Sequence, residues 1–304
     1  MARHRRVRLG AGVAHARSLG DSLGVSSTPS PFKSTGGGGG TVTHGSQIDT
    51  TNTGFIAYYD PTLGRNLVQG DLQVVTTSGV WISDFTGGTG GTAGSPKVVT
   101  KKDFQGGLVI DVPYVIVRGC RINGGVTANT GTVFDYCTWA NTSVVDQCIQ
   151  YDGYTANRCN ISGGSDGMKA NGGNTVITEC YIRNKAAGPA DHNDGVQNDR
   201  GNGPVTIARC NIDARPIGGG GGTTAAILAD TGPGLHTITD NYIAGGTYTL
   251  MMYDSTTWVV TGNVWEAGSW VYGPCATGGP GWGPSSIITW SNNTLSTGGA
   301  VAKP

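Results

Sequence analysis

"TVITECYIRN" spans residues 175–184. It reads apolar, two spacers, Cys, one spacer, apolar. "VIVRGCRING" (115–124) and "VTIARCNIDA" (205–214) repeat that frame, and so do "TANRCNI" (155–161) and, with aromatics, "TVFDYCTW" (132–139). Further on asparagine replaces cysteine, in "TITDNYI" (237–243), "VVTGNVW" (259–265) and "ITWSNNTL" (288–295). The shared column is Cys120, Cys137, Cys159, Cys180, Cys210, Asn241, Asn263 and Asn293, at intervals of 17–31 residues. Internal repeats of this length mean stacked supersecondary units.

Two positions after the column stands an apolar residue: Ile122, Trp139, Ile161, Ile182, Ile212, Ile243, Trp265 and Leu295. Three positions before it stand Val117, Phe134, Ala156, Ile177, Ile207, Ile238, Val260 and Trp290. Residues of equal parity share a strand face. The column and its +2 partner can therefore both point inward, whereas the −3 partner points inward only if the chain turns a corner between them. Short strands, fixed corners and this period describe the coils of a parallel β-helix. At about 4.8 Å per rung the column extends roughly 34 Å.

A third apolar column, Ile149, Met168, Val196 and Ile227, sits 10–14 residues ahead of its coil's Cys or Asn. Polar neighbours Gln150, Lys169 and Gln197 follow it by one position. Asp166-Gly and Asp194-Gly precede two of its members. Asp166, Lys169, His192, Asp194 and Gln197 are thus expected on neighbouring coils as one outward patch, with Asp191 and Arg183 at its margin. Three readings stay open for it. Repeated Asp-Gly turns stack naturally. A row of polar side chains makes a glycan groove. Two nearby carboxylates raise one pKa and suit it to general-acid work, so Asp166, Lys169, His192 and Asp194 are the catalytic candidates. Trp270 and Trp282, in "GSWVYGPCATGGPGWGP", make a candidate sugar platform or subunit contact.

Composition agrees with strands and turns. Glycine is 53 of 304 residues and 13% are charged, so little reads as amphipathic helix. The net charge is zero, which gives no sign of nucleic-acid binding. No stretch reaches the roughly 18 apolar residues of a membrane span. No CxxC or Cys/His spacing suggests zinc, and no cofactor motif is present. The ladder cysteines read as reduced, structural thiols, which pack as small hydrophobes. Cys275 falls outside the ladder, in a loop, as the one thiol expected to be exposed. Residues 1–41 read as a basic, flexible head and linker. Its basic start is not followed by the apolar run of a secretory signal. Residues 42–104 read as a cap or adaptor for the open end of the coils, residues 105–304 as the β-helix, and the tail from Ser296 as a terminal strand and a loose end.

"TNTGFIAYYDPTLGR" (51–65), "KKDFQGGLVIDVPYVIVRGCRI" (101–122), the Cys/Asn coils and "DHNDGVQ" (191–197) together resemble the right-handed parallel β-helix minor tail proteins, tail tips or tail spikes of actinobacterial phages, mycobacteriophages especially. The likeness covers residues 45–295 and leaves out the basic head. It implies a virion component, assembled in the host cytoplasm. It also implies a homotrimer that contacts host cell-wall polysaccharide. Residues 1–41, by their basic charge and poor core-forming composition, are expected to order on a partner and dock the protein to other tail proteins. The enzymatic alternative is a polysaccharide depolymerase, a lyase or glycoside hydrolase of β-helix type.

Overall fold

In a computed structural model the described residues are 41–304 apart from 78, 142–147, 152, 184–192, 199–202, 216–222, 230–233, 253–256 and 277–286. The expected β-helix is there. Three long parallel sheets carry the body, one of ten strands and two of nine. In each coil the chain passes through the three in turn, as in Asn160–Gly163 (sheet 1), Met168–Lys169 (sheet 2) and Thr175–Thr178 (sheet 3). A single one-turn α-helix, Ser83–Thr86, is the only one among the described residues.

The register follows the sequence columns. Ile161, Ile182, Ile212 and Ile243 pair in order in sheet 1. Ala156, Ile177, Ile207 and Ile238 do so in sheet 3. Ile149, Met168, Val196 and Ile227 do so in sheet 2. All of these side chains are buried. In-register parallel pairing keeps these three columns on the inner face, because a shift of one position would turn a whole set outward.

The corner from sheet 3 into sheet 1 is the tightest. The residue before each column member adopts a left-handed conformation: Gly119, Tyr136, Arg158, Glu179, Arg209, Asp240, Gly262 and Asn292 have φ between 49° and 68°. The left-handed residue is therefore the one preceding the column, and the column residue itself turns inward. There its side chain accepts a hydrogen bond from the N–H of the equivalent residue one coil earlier. Asn241 Oδ1 accepts from Cys210 N at 2.8 Å, Asn263 Oδ1 from Asn241 N at 3.0 Å, and Asn293 Oδ1 from Asn263 N at 3.1 Å. Sulfur takes the same place in Cys159 N to Cys180 Sγ, 3.4 Å. A non-glycine residue in this conformation costs about 1–2 kcal/mol, and the ladder helps offset it.

The stacking starts ahead of residue 105. Gln73–Val75, Val80–Trp81 and Lys97–Thr100 already form a coil and pair with the next. Residues 43–72 run as a strap along the outside of the tight corner, toward the N-terminal coils. His44 Nε2 lies 3.1 Å from the Gly262 carbonyl oxygen. Gly45 N donates to Asp240 O at 2.7 Å and Gly54 N to Arg158 O at 2.8 Å. Asn211 Nδ2 donates to Ile48 O at 2.8 Å. Lys101 pairs with Asp60 at 2.7 Å, and Gln73 N donates to Lys101 O as the chain enters its first coil. At the other end the tail is tied down: Val301 is buried, its N–H donates to Asn293 O, and Trp290 Nε1 donates to Val301 O at 2.8 Å. That protects the last rung of sheet 1 from open-edge pairing.

Sheet 3 carries a row without charge at the outward positions, Val98, Ile116, Val133, Thr155, Val176, Thr206, Thr237, Val259 and Thr289, of which Ile116 is buried. β-Branched side chains suit such a pleated surface.

Candidate functional site

The Asp-Gly pairs lie in the corner from sheet 1 into sheet 2, two residues before the inward Met168 and Val196. Glycine is needed after Asp194, because a Cβ on Gly195 would lie 2.5 Å from Ile212 Cγ2 and 2.6 Å from Ala226 O. The carboxylates turn along the solenoid axis. Asp194 N donates to Asp166 Oδ1 at 3.1 Å, and Ala225 N to Asp194 Oδ1 at 2.7 Å. Asp194 Oδ2 accepts from Gln197 Nε2 at 3.0 Å, and Lys169 Nζ lies 3.6 Å from Asp166 Oδ2. This is a second ladder, running opposite to the Cys/Asn ladder: here the later coil donates to the earlier side chain.

Lys169 and Gln197 are in register on adjacent rungs, as the sequence columns require. The outward patch is not what they form. Asp166, Asp194 and Gln197 are buried, at 3%, 0% and 7% exposure, because the carboxylates are spent on backbone N–H groups of the corner. Lys169 remains partly open. Burial, reinforced by the charge of Asp166, pushes the Asp194 carboxyl up to about 8, against the pull of the Ala225 N–H and Gln197. An ionised carboxylate without solvent is costly, so Asp194 holds its proton at neutral pH. Asp191, His192 and Trp282 lie outside the described residues. Trp270 is half-buried and packs on the core instead of standing out as a platform. Cys275 also departs from expectation. It is buried in sheet 2 opposite Leu250, and desolvation drives its thiol pKa upward.

Arg183 belongs to a different cluster, on the outer face of sheet 1. It is in register with Asp213, with Nη1 4.0 Å from Oδ2. Arg215 grips the same carboxylate with both ends of its fork, Nε to Oδ1 and Nη2 to Oδ2, each 2.8 Å. Beside them Tyr242 donates its hydroxyl to Glu266 Oε2. Burial and the Glu266 partner push the Tyr242 hydroxyl up to about 12, while that hydrogen bond lowers Glu266. Sequence reading missed Asp213, Arg215, Tyr242 and Glu266. The signal was in the frame: the position three after the column gives Arg183, Asp213, Ala244 and Glu266 on consecutive coils. Among the described residues no group of three or more His, Cys, Asp or Glu is placed to hold a metal ion. No helix among them is long and apolar enough to cross a membrane.

No family model, curated protein or solved structure matches the chain.

Proposed function

We propose that the chain is a minor tail protein of an actinobacterial phage, a β-helix that meets host cell-wall polysaccharide from within the virion. The observation carrying this reading is the core. All seven cysteines are free and buried, with Cys120, Cys137, Cys159, Cys180 and Cys210 stacked in one column. Stacked thiols suit a protein folded where thiols stay reduced, as phage proteins are in the host cytoplasm. The resemblance of residues 51–65 and 101–122 to such proteins supports the same assignment. The uncharged outer row of sheet 3 supports side-by-side packing of three copies, since beside it on the same face Arg118 and Asp135 pair with each other and leave no net charge there to oppose. The basic head, residues 1–41, is the docking segment for other tail proteins.

A depolymerase is the weaker reading, because its leading acids cannot touch a polymer: Asp194 is fully buried and Asp166 nearly so. The test is direct. A labelled antibody against this chain, applied to particles of the phage that encodes it, should decorate the tail in electron micrographs. Deleting residues 1–41 should leave a folded protein missing from particles. Decoration of the capsid, or normal incorporation of the truncated chain, would reject the assignment.

A further inference from the structure

Two surface features that no role yet absorbs meet at one corner of the solenoid. On its sheet-1 side lie Asp213, Arg215, Tyr242 and Glu266, with the Arg215 side chain 45% exposed. On its sheet-2 side the rings of Tyr248 and Tyr272 stand 5.7 Å apart at 48°. Tyr272 is 73% exposed, the most of any large apolar or aromatic residue described. On the coil of Tyr242 the two sides are joined by Gly245, Gly246 and Thr247, and both glycines have φ 91°. A Cβ on Gly245 would sit 2.6 Å from Arg215 N, so this tight crossing requires glycine. The corner is pinned rung to rung. Gly245 N donates to Ser269 Oγ at 3.0 Å, Val271 N to Gly246 O at 3.2 Å, and Tyr272 N to Thr247 O at 2.8 Å.

A solvent-facing tyrosine presents a flat apolar ring with a polar tip, a surface on which the apolar face of a sugar ring stacks. Arg215 Nε and Nη2 are held by Asp213, which leaves the Nη1 donors and the remaining lone pairs of Glu266 to meet the hydroxyls of a sugar. The cluster's two guanidiniums, on Arg183 and Arg215, are offset by two carboxylates, on Asp213 and Glu266. No net charge remains to draw in an acidic polymer.

We propose that this corner is a binding subsite for an uncharged glycan, one sugar ring lying on Tyr272 against Tyr248 with its hydroxyls bonded to Arg215 and Glu266. The inference rests on the glycan contact argued above and gives it a place and a ligand class. The probes are dextran, arabinan, galactan and mannan as uncharged polymers and polygalacturonate as a charged one, titrated calorimetrically into the intact protein. At least one uncharged polymer binds, with an affinity that changes little with salt. Tyr272→Ala weakens it at least tenfold at an unchanged melting temperature, Tyr272→Phe keeps it, and Glu266→Gln weakens it several-fold. Binding that Tyr272→Ala leaves intact overturns the site and spares the glycan contact. Binding to polygalacturonate alone, lost in salt, overturns the uncharged class. Binding to none of the five overturns this subsite together with the glycan contact, while the tail location stands or falls on the micrographs.

Discussion

With its carboxyl held at about 8, Asp194 titrates in the folded chain where a free aspartate, at 3.8, is long ionised. A folded pKa above the unfolded one favours folding when the proton is on. That stability is complete below about pH 4 and is lost as pH rises through 8. Asp194→Asn keeps an acceptor for Ala225 N and cannot ionise, and its new NH2 finds an acceptor when the Gln197 amide turns over. The parent's melting temperature should therefore fall between pH 5 and pH 9 while that of Asp194→Asn stays nearly level. Parallel curves for the two proteins would show that Asp194 is charged in the fold. Asn241 makes the complementary case. Its amide accepts from Cys210 N and donates to Ile207 O at 3.0 Å, all of it buried. Asn241→Ala should cost about 2–6 kcal/mol in denaturant unfolding, since it leaves two backbone groups unpaired at about 1–3 kcal/mol each. Asn241→Cys should cost less, because Cys180 and Cys210 already accept such N–H groups in the same column. Equal losses for the two variants would mean that the ladder bond is of no consequence.

Among the elements, the strap is the one that sequence periodicity misplaces. Its residues have no coil frame of their own, and its contacts are with carbonyls of the tight corner, whose neighbours in space are far away in the chain. Gly45 lies against that corner: a Cβ there would sit 2.0 Å from Cys210 O and 2.6 Å from Tyr242 N. Both obstacles are backbone, so neither can swing aside. Gly45→Ala should lift the first part of the strap, making residues 41–54 sensitive to protease while the coils from Gln73 onward stay resistant. An unchanged digestion pattern would show that the strap is not seated there.

For the whole molecule the strap has a further effect. A solenoid is held by contacts between neighbouring coils, and its parts can melt separately. The strap links the coil of Gly262, through that of Arg158, to that of Lys101, far apart along the axis. Removing residues 41–72 should turn one sharp calorimetric transition into a broad or stepped one. A transition as sharp as the parent's would show that the coils cooperate without it.

The column of Cys120 through Asn293 could be read from the chain, and with it the three inner faces, because each coil repeats one local pattern and parallel stacking forces like residues over like. Trp265 and Trp290 were placed inside by that pattern alone, and Val301 was not, because the tail lies beyond the last repeat. The Asp-Gly stretches were placed on the right coils, but not on the right side of the wall. Whether an aspartate at a corner faces water or the next coil's N–H depends on which backbone groups remain unpaired after stacking, and only the tertiary structure decides that. The same holds for Arg215, Glu266 and Tyr272. Glu266 keeps the frame, three positions after its column residue, but Arg215 and Tyr272 have no place in it, and only the folded corner sets them on either side of Gly245 and Gly246. Local repetition determined the fold in this protein, and the pairing of leftover polar groups determined which of its residues face the solvent.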